Sequence, residues 1–288
     1  MTQWFVLFHK ELLDMWRSYK WVWVPLVFVV LGLMKPLSFY YLPQILETAG
    51  GLPEGASIDI PLPTGAEVLT QSLADFGVLG LLVLTLAAMG TVAQERKSGV
   101  AAIVLLKPVP YTSYVTAKWV SLLLLTWVAL LCGYGASWYY TELLIGAVSP
   151  QRWFYSLLLY GFWLSFVVTV VVFYSILMKN VGAVAFLSLS SVTVLSVATA
   201  TFTKWLSWSP GQLTTHAYAV LAEGEVGDSF LAVTLCSIGV MVALLTVWPS
   251  PFFVGKSSSI KVKKRGATAR ALALPLNLPT RVPTFLFP

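Results

Sequence analysis

Six long apolar runs, each about the length of a bilayer, are separated by short segments that carry most of the charge. A helix needs about 20 apolar residues to cross a hydrocarbon core of about 30 Å. Only 10% of the 288 residues are charged and the mean hydropathy is +0.81, too few polar groups to cover a soluble domain. The sequence predicts an all-α integral membrane protein with spans at about 21–42, 76–93, 119–140, 153–177, 181–201 and 229–248.

Residues 2–20 are too charged to cross a bilayer, but they have a helical pattern of their own. Aromatic and aliphatic residues recur three and four positions apart, and charged residues fill much of the remainder. This pattern is typical of an amphipathic helix that lies in the membrane interface. A charged cytoplasmic segment leading into the first span is the alternative. The residues assigned to the interfacial helix include Trp4, Phe8, Lys10, Glu11, Leu12 and Arg17.

The chain is divided by composition into three parts. An interfacial helix (1–20) precedes the six-span domain (21–248), and a basic, proline-containing tail (249–288) follows it. The tail has no acidic residue, and we expect it to be disordered and to contact anionic lipid rather than nucleic acid. The longest external loop, 43–75, is rich in glycine and proline and has acids but no lysine or arginine.

Lysine and arginine are distributed unevenly between the two sides of the membrane. Six spans place both termini on one side, together with the segment 94–118 and the turn 178–180, and that side holds 15 of the 18 basic residues. Basic residues are enriched in cytoplasmic loops. The sequence therefore predicts a multi-pass protein of the plasma (inner) membrane with both termini in the cytoplasm.

The segment 94–118 is the one place where several charges stand together between two spans. Gly99 permits a bend, and Pro108 and Pro110 break the chain again. Between them, residues 100–106 form an apolar patch too short to cross a bilayer. We expect a short helix on the cytoplasmic face, where it contacts either a protein partner or the lipid interface.

This segment resembles the corresponding part of ABC-2 type transporter permeases. Their pattern is E-R-x-x-G, nine apolar-rich residues ending in proline, then valine, eight residues and lysine. The chain departs from the common pattern at Val100, where threonine is frequent, and at Tyr111, where arginine is frequent. The resemblance covers residues 1–248. The matching residues are Glu95, Arg96, Gly99, Leu105, Leu106, Pro108, Val109 and Lys118.

The resemblance implies a permease subunit of an exporter, with a cytoplasmic coupling helix between the second and third spans. Two copies of a separate ATPase subunit would bind the 94–118 segment, and two permease chains, identical or related, would line the pathway. ATP and magnesium would belong to the ATPase. This agrees with the absence of a G-x-x-x-x-G-K-[ST] phosphate loop from the sequence.

Other classes of membrane protein are less well supported. An intramembrane enzyme would need a metal-ligating or catalytic set within the spans. The histidines are His9 and His216, outside the span centres, and no span has a central carboxylate. We therefore predict no catalytic residue, metal site or cofactor in this chain. An ion-coupled carrier and a non-transporting sensor or immunity scaffold stay open as alternatives.

Overall fold

The computed structural model describes residues 2–48, 63–99, 110–225, 227 and 229–246. Their regular structure is helical, which confirms the all-α part of the predicted fold class. The helices are α1 (Thr2–Arg17), α2 (Lys20–Thr48), α3 (Gly65–Asp75), α4 (Leu81–Ala88), α5 (Gly90–Ser98), α6 (Tyr111–Leu144), α7 (Pro150–Leu177), α8 (Val181–Thr201), α9 (Gln212–Ala222) and α10 (Phe230–Thr246).

Five helical runs within the described residues are long and apolar enough to cross a membrane. They are Lys20–Gln44, Gly65–Ser98, Tyr111–Leu144, Pro150–Leu177 and Val181–Thr201. The sixth predicted span corresponds to α10, an apolar helix of 17 residues. Six spans therefore stay a prediction. The basic tail and the central part of the segment between α5 and α6 lie outside the described residues.

The first span is separated from α1 by a left-handed residue. Tyr19 has a φ of 56°, which ends α1 and redirects the chain into α2 at Lys20. The buried face of α1 packs on α6, where the Trp4 indole nitrogen donates to the Thr116 hydroxyl at 3.1 Å. Phe5 and Trp16 point away from the protein and are exposed. The aromatic residues of α1 are thus divided between a protein face and an outer face.

The helical run that contains the second span begins at Gly65, eleven residues before the predicted start of that span. Thr64 and Glu67 form a capping box, in which each side chain accepts from the other residue's backbone N–H. Helix α3 follows directly, so residues 65–75 of the predicted loop are helical. A π-helical turn at Phe76–Gly80 then joins α3 to α4. Similarly, α6 begins at Tyr111, so both ends of the predicted 94–118 loop are helical.

The core is built around α7, which packs against α4, α5, α6, α8, α9 and α10. Helices α2 and α6 cross closely where Gly32 meets Gly133. A Cβ on Gly32 would lie 2.1 Å from the Gly133 carbonyl oxygen, so the crossing requires glycine. Helix α9 packs on α7 and α3 after Pro210 and Gly211, while Trp205 and Trp208 in the preceding turn are exposed.

Candidate functional site

Lys118 is almost fully buried, and its ammonium group lies between two carboxylates. Its Nζ is 2.8 Å from Glu11 Oε1 and 2.9 Å from Glu95 Oε1, and 2% of its side chain is exposed. A buried ammonium is tolerated when it is paired and hydrogen-bonded. These contacts join α1, the end of α5 and the start of α6, which are far apart in sequence.

Lys10 completes the arrangement from the outer side. Its Nζ lies 3.0 Å from both Glu11 Oε1 and Glu95 Oε1, and 3.2 Å from an Asp14 carboxylate oxygen. Partial burial opposes the charged amine, but the Glu11 and Glu95 carboxylates outweigh it and raise the pKa of Lys10 above its usual value. Lys10 is therefore charged at neutral pH. We call Lys10, Glu11, Asp14, Glu95 and Lys118 the charge cluster.

Tyr114 fixes the second oxygen of Glu95. Its hydroxyl donates to Glu95 Oε2, and Lys118 Nζ lies 5.1 Å from the centroid of its ring. The ring thus contacts the lysine by a cation–π interaction while the hydroxyl bonds the carboxylate. Both oxygens of Glu95 are occupied by groups of this chain.

The three carboxylates of the charge cluster place one oxygen each within 4.8 Å of one another, a spacing that a metal ion could use. Two ammonium groups already bond to these oxygens and supply the opposing charge. A metal ion would have to displace Lys10 or the buried Lys118. The donor set therefore fits an internal ion-pair network better than a metal site.

The helix that carries Glu95 is separated from α4 by a break in the helical hydrogen bonding at Met89, which keeps right-handed helical dihedrals. The freed backbone N–H groups of Val92 and Ala93 both donate to Ser175 Oγ at 3.0 Å, and that hydroxyl donates to the Met89 carbonyl at 3.1 Å. Lys20 Nζ donates to the Ala87 carbonyl at 2.7 Å. A break inside a membrane helix needs such partners for its backbone groups.

A hydrogen bond also joins the C-terminal ends of α5 and α7. Arg96 donates to the carbonyl oxygen of Ile176, one of the terminal carbonyls of α7 that have no partner within the helix. Gly99 then ends α5 in the left-handed region with a φ of 80°. The bend expected at Gly99 is present.

The structure brings together part of the residue set that the sequence indicated. Glu95 and Lys118 meet Lys10 and Glu11, so two predicted groups, the coupling residues and the interfacial helix, form one cluster. Trp4 and Leu12 pack toward the protein, Phe8 is half-buried, and Arg17 is exposed. The remaining coupling residues lie outside the described part of the chain: Leu105, Leu106, Pro108 and Val109.

Sequence reasoning did not identify Tyr114, Ser175 or Lys20. Tyr114 lies one helical turn before Lys118. The two side chains share one face of α6 because this helix begins at Tyr111, before both residues. Ser175 has no local signal, because its role depends on a break in another helix.

No protein-family profile matches the chain. The chain is similar to a Bacillus subtilis (strain 168) protein named uncharacterized transmembrane protein YxlG. The two are 34% identical over 244 residues, which cover 84% of this chain and 95% of YxlG. Together with the long apolar helices, this similarity identifies a multi-pass membrane protein.

Proposed function

We propose that this chain, which belongs to the same family as the Bacillus subtilis transmembrane protein YxlG, is the permease subunit of an ABC-2 type ATP-binding cassette exporter. Two copies, or one copy and a related chain, would line the pathway in the plasma membrane. A separate ATPase, which binds ATP and magnesium, would contact the segment between α5 and α6 on the cytoplasmic side.

The observation that carries the proposal is a contact between two residues of the permease-like pattern. Glu95 and Lys118 stand at opposite ends of the segment, 23 positions apart, and are paired at 2.9 Å. The pair holds the two ends of the segment together. A force applied to residues 100–109 would therefore move α5 and α6 as one body.

The charge cluster and the contacts between α5 and α7 connect the segment to other helices, through which such a force would be transmitted. Glu11 and Lys10 connect the segment to α1, and Arg96 connects it to the end of α7. The break at Met89, held by Ser175, separates α5 from α4. In the proposed mechanism, closure of the ATPase tilts α5 and α6 together about this break and opens the pathway.

The direct test is recovery of the ATPase with the tagged permease. A candidate ABC ATPase is co-expressed with this chain, and the complex is purified through the permease. Leu105→Asp/Leu106→Asp should lower ATPase recovery by about tenfold or more, which corresponds to ~1.4 kcal/mol or more of binding free energy. Leu272→Asp, in the tail, is the matched control. Equal recovery with both variants would contradict the proposal.

The same complex distinguishes the alternatives in reconstituted vesicles. An exporter moves cargo when ATP is supplied. A sensor or immunity scaffold binds the ATPase without moving cargo, and an ion-coupled carrier responds to an imposed ion gradient without the ATPase.

A further inference from the structure

An apolar groove opens between α6, α7 and α10, and it is separate from the charge cluster. Its volume is about 320 Å³. One side is deep, because Met241 is nearly buried, and the rim residues Phe162 and Val242 are exposed. The residues that shape the groove include Trp119, Leu123, Trp127, Phe162, Met241 and Leu245.

The polar atoms along the groove are already used inside the protein. The Trp119 indole nitrogen donates to Thr169 Oγ1 at 2.9 Å, and the Trp127 indole nitrogen donates to Ser165 Oγ at 3.1 Å. Ser165 Oγ in turn donates to the Gly161 carbonyl at 2.7 Å. A polar ligand would therefore find few free partners here, whereas an alkyl chain would bury apolar surface and break no hydrogen bond.

The groove is about as long as one leaflet of the hydrocarbon core is thick. Trp119 follows Lys118 of the charge cluster, and Trp127 lies eight positions further along α6, a rise of about 12 Å. Half of a hydrocarbon core is about 15 Å. On α10, Leu245 lies in the last turn and Met241 one turn before it. The groove thus extends from a point beside Lys118 toward Trp127, at the middle of the apolar run Tyr111–Leu144.

We propose that this groove is a binding site for one acyl chain of a phospholipid in the leaflet on the side of the charge cluster. The chain would enter beside Trp119 and end near Trp127 and Phe162. The proposal for this site is independent of the transport proposal. An apolar lining of this depth would favour an acyl chain over a polar ligand in any multi-pass protein.

The inner end of the groove depends on a glycine. A Cβ on Gly161 would lie 2.4 Å from the Trp127 ring, so the indole can lie against α7 because residue 161 has no side chain. Gly161→Ala therefore has to displace Trp127. A Cβ on Gly135, also in a spanning helix, would meet no atom within 4 Å, which makes Gly135→Ala a matched control.

Photolabelling of the full-length protein in phospholipid bilayers tests the site. Two phosphatidylglycerol probes carry a diazirine in one acyl chain, near the carboxyl end or in the middle, and adducts are mapped by mass spectrometry. We expect the first probe to label Trp119 and Leu245, and the second to label Trp127 and Phe162. This labelling should saturate as the probe fraction rises. Labelling of Phe186 and Val194, on the exposed face of α8, should rise in proportion to the probe.

Two groove variants complete the test. Met241→Trp fills the groove and Gly161→Ala displaces its wall, so each should lower groove labelling at least about fivefold and leave α8 labelling unchanged. Either variant suffices if the other does not fold, as judged by gel filtration. The proposal is overturned if groove labelling rises without saturation as on α8, if the two probes label the groove in the reverse order, or if a folded groove variant labels like Gly135→Ala.

Discussion

Glu95 Oε1 lies 2.9 Å from Lys118 Nζ, and the two residues belong to the end of one spanning run and the beginning of the next. The lysine is buried and its second partner, Glu11, comes from α1. A single buried ammonium therefore connects three separate parts of the chain. Removal of Lys118 leaves Glu11 and Glu95 to share one ammonium group, that of Lys10.

Lys118→Met is expected to destabilise the protein strongly. It leaves Glu11 and Glu95 with Lys10 as their remaining ammonium partner, and breaking a buried pair on one side costs about 3–5 kcal/mol. Thermal unfolding in detergent measures the loss. Lys97→Met, at an exposed position of α5, is the control and should change the unfolding temperature little. Adding Glu95→Gln to Lys118→Met should recover part of the loss, and no recovery would show that the two groups do not act as a pair.

Ser175→Ala is expected to loosen the break between α4 and α5. The hydroxyl accepts from two backbone N–H groups and donates to one carbonyl, and each buried group left unpaired costs about 1–3 kcal/mol. Hydrogen exchange at the Val92 and Ala93 amides should therefore become faster. Ser98→Ala, at an exposed position, serves for comparison. Identical exchange in the two variants would mean that Ser175 does not hold the break.

Gly99 should accept asparagine better than alanine. Its φ of 80° is strained for alanine by about 1–2 kcal/mol, while a Cβ there would meet no atom within 4 Å. The penalty is thus conformational and not steric, and asparagine adopts this region more readily. The two variants are compared by thermal unfolding and by ATPase recovery. Equal losses for Gly99→Ala and Gly99→Asn would argue against a requirement for the left-handed conformation.

Gly32→Ala is expected to disrupt the crossing of α2 and α6. The added Cβ would lie 2.1 Å from the Gly133 carbonyl oxygen, which is backbone and cannot move without the helix. The yield of monodisperse protein should fall sharply, and the unfolding temperature of what remains should drop by several degrees. Gly135→Ala should behave as the wild type. A stable Gly32→Ala protein would show that the helices can separate at little cost.

The sequence was sufficient for those features that depend on local pattern. The apolar runs predicted helical spans because a bilayer requires that length of apolar helix. The spacing of Glu95, Gly99 and Lys118 identified a segment whose two end residues, Glu95 and Lys118, are paired in the structure. Thr64 and Glu67 have the spacing of a capping box and so indicate the start of α3, but the prolines and glycines before them favour a longer loop.

Long-range pairing could not be predicted in the same way. Lys118 and Glu11 are 107 positions apart, and no spacing rule connects them. Lys35 and Asp75 show the same limit. Lys35 in α2 and Asp75 in α3 belong to different helices, and the structure pairs them at 3.5 Å. Asp75 is the last residue of α3, and this helix holds its carboxylate beside Lys35.

Topology is the most direct test of the central claim that the charge cluster faces an ATPase in the cytoplasm. Cys132 and Cys236 are first replaced by serine, and single cysteines are introduced as Lys97→Cys and Trp205→Cys, both at exposed positions. Intact cells are then treated with a membrane-impermeant thiol reagent. The account predicts that Trp205→Cys is labelled and that Lys97→Cys reacts after the cells are lysed and not before. Labelling of Lys97→Cys on intact cells would contradict it.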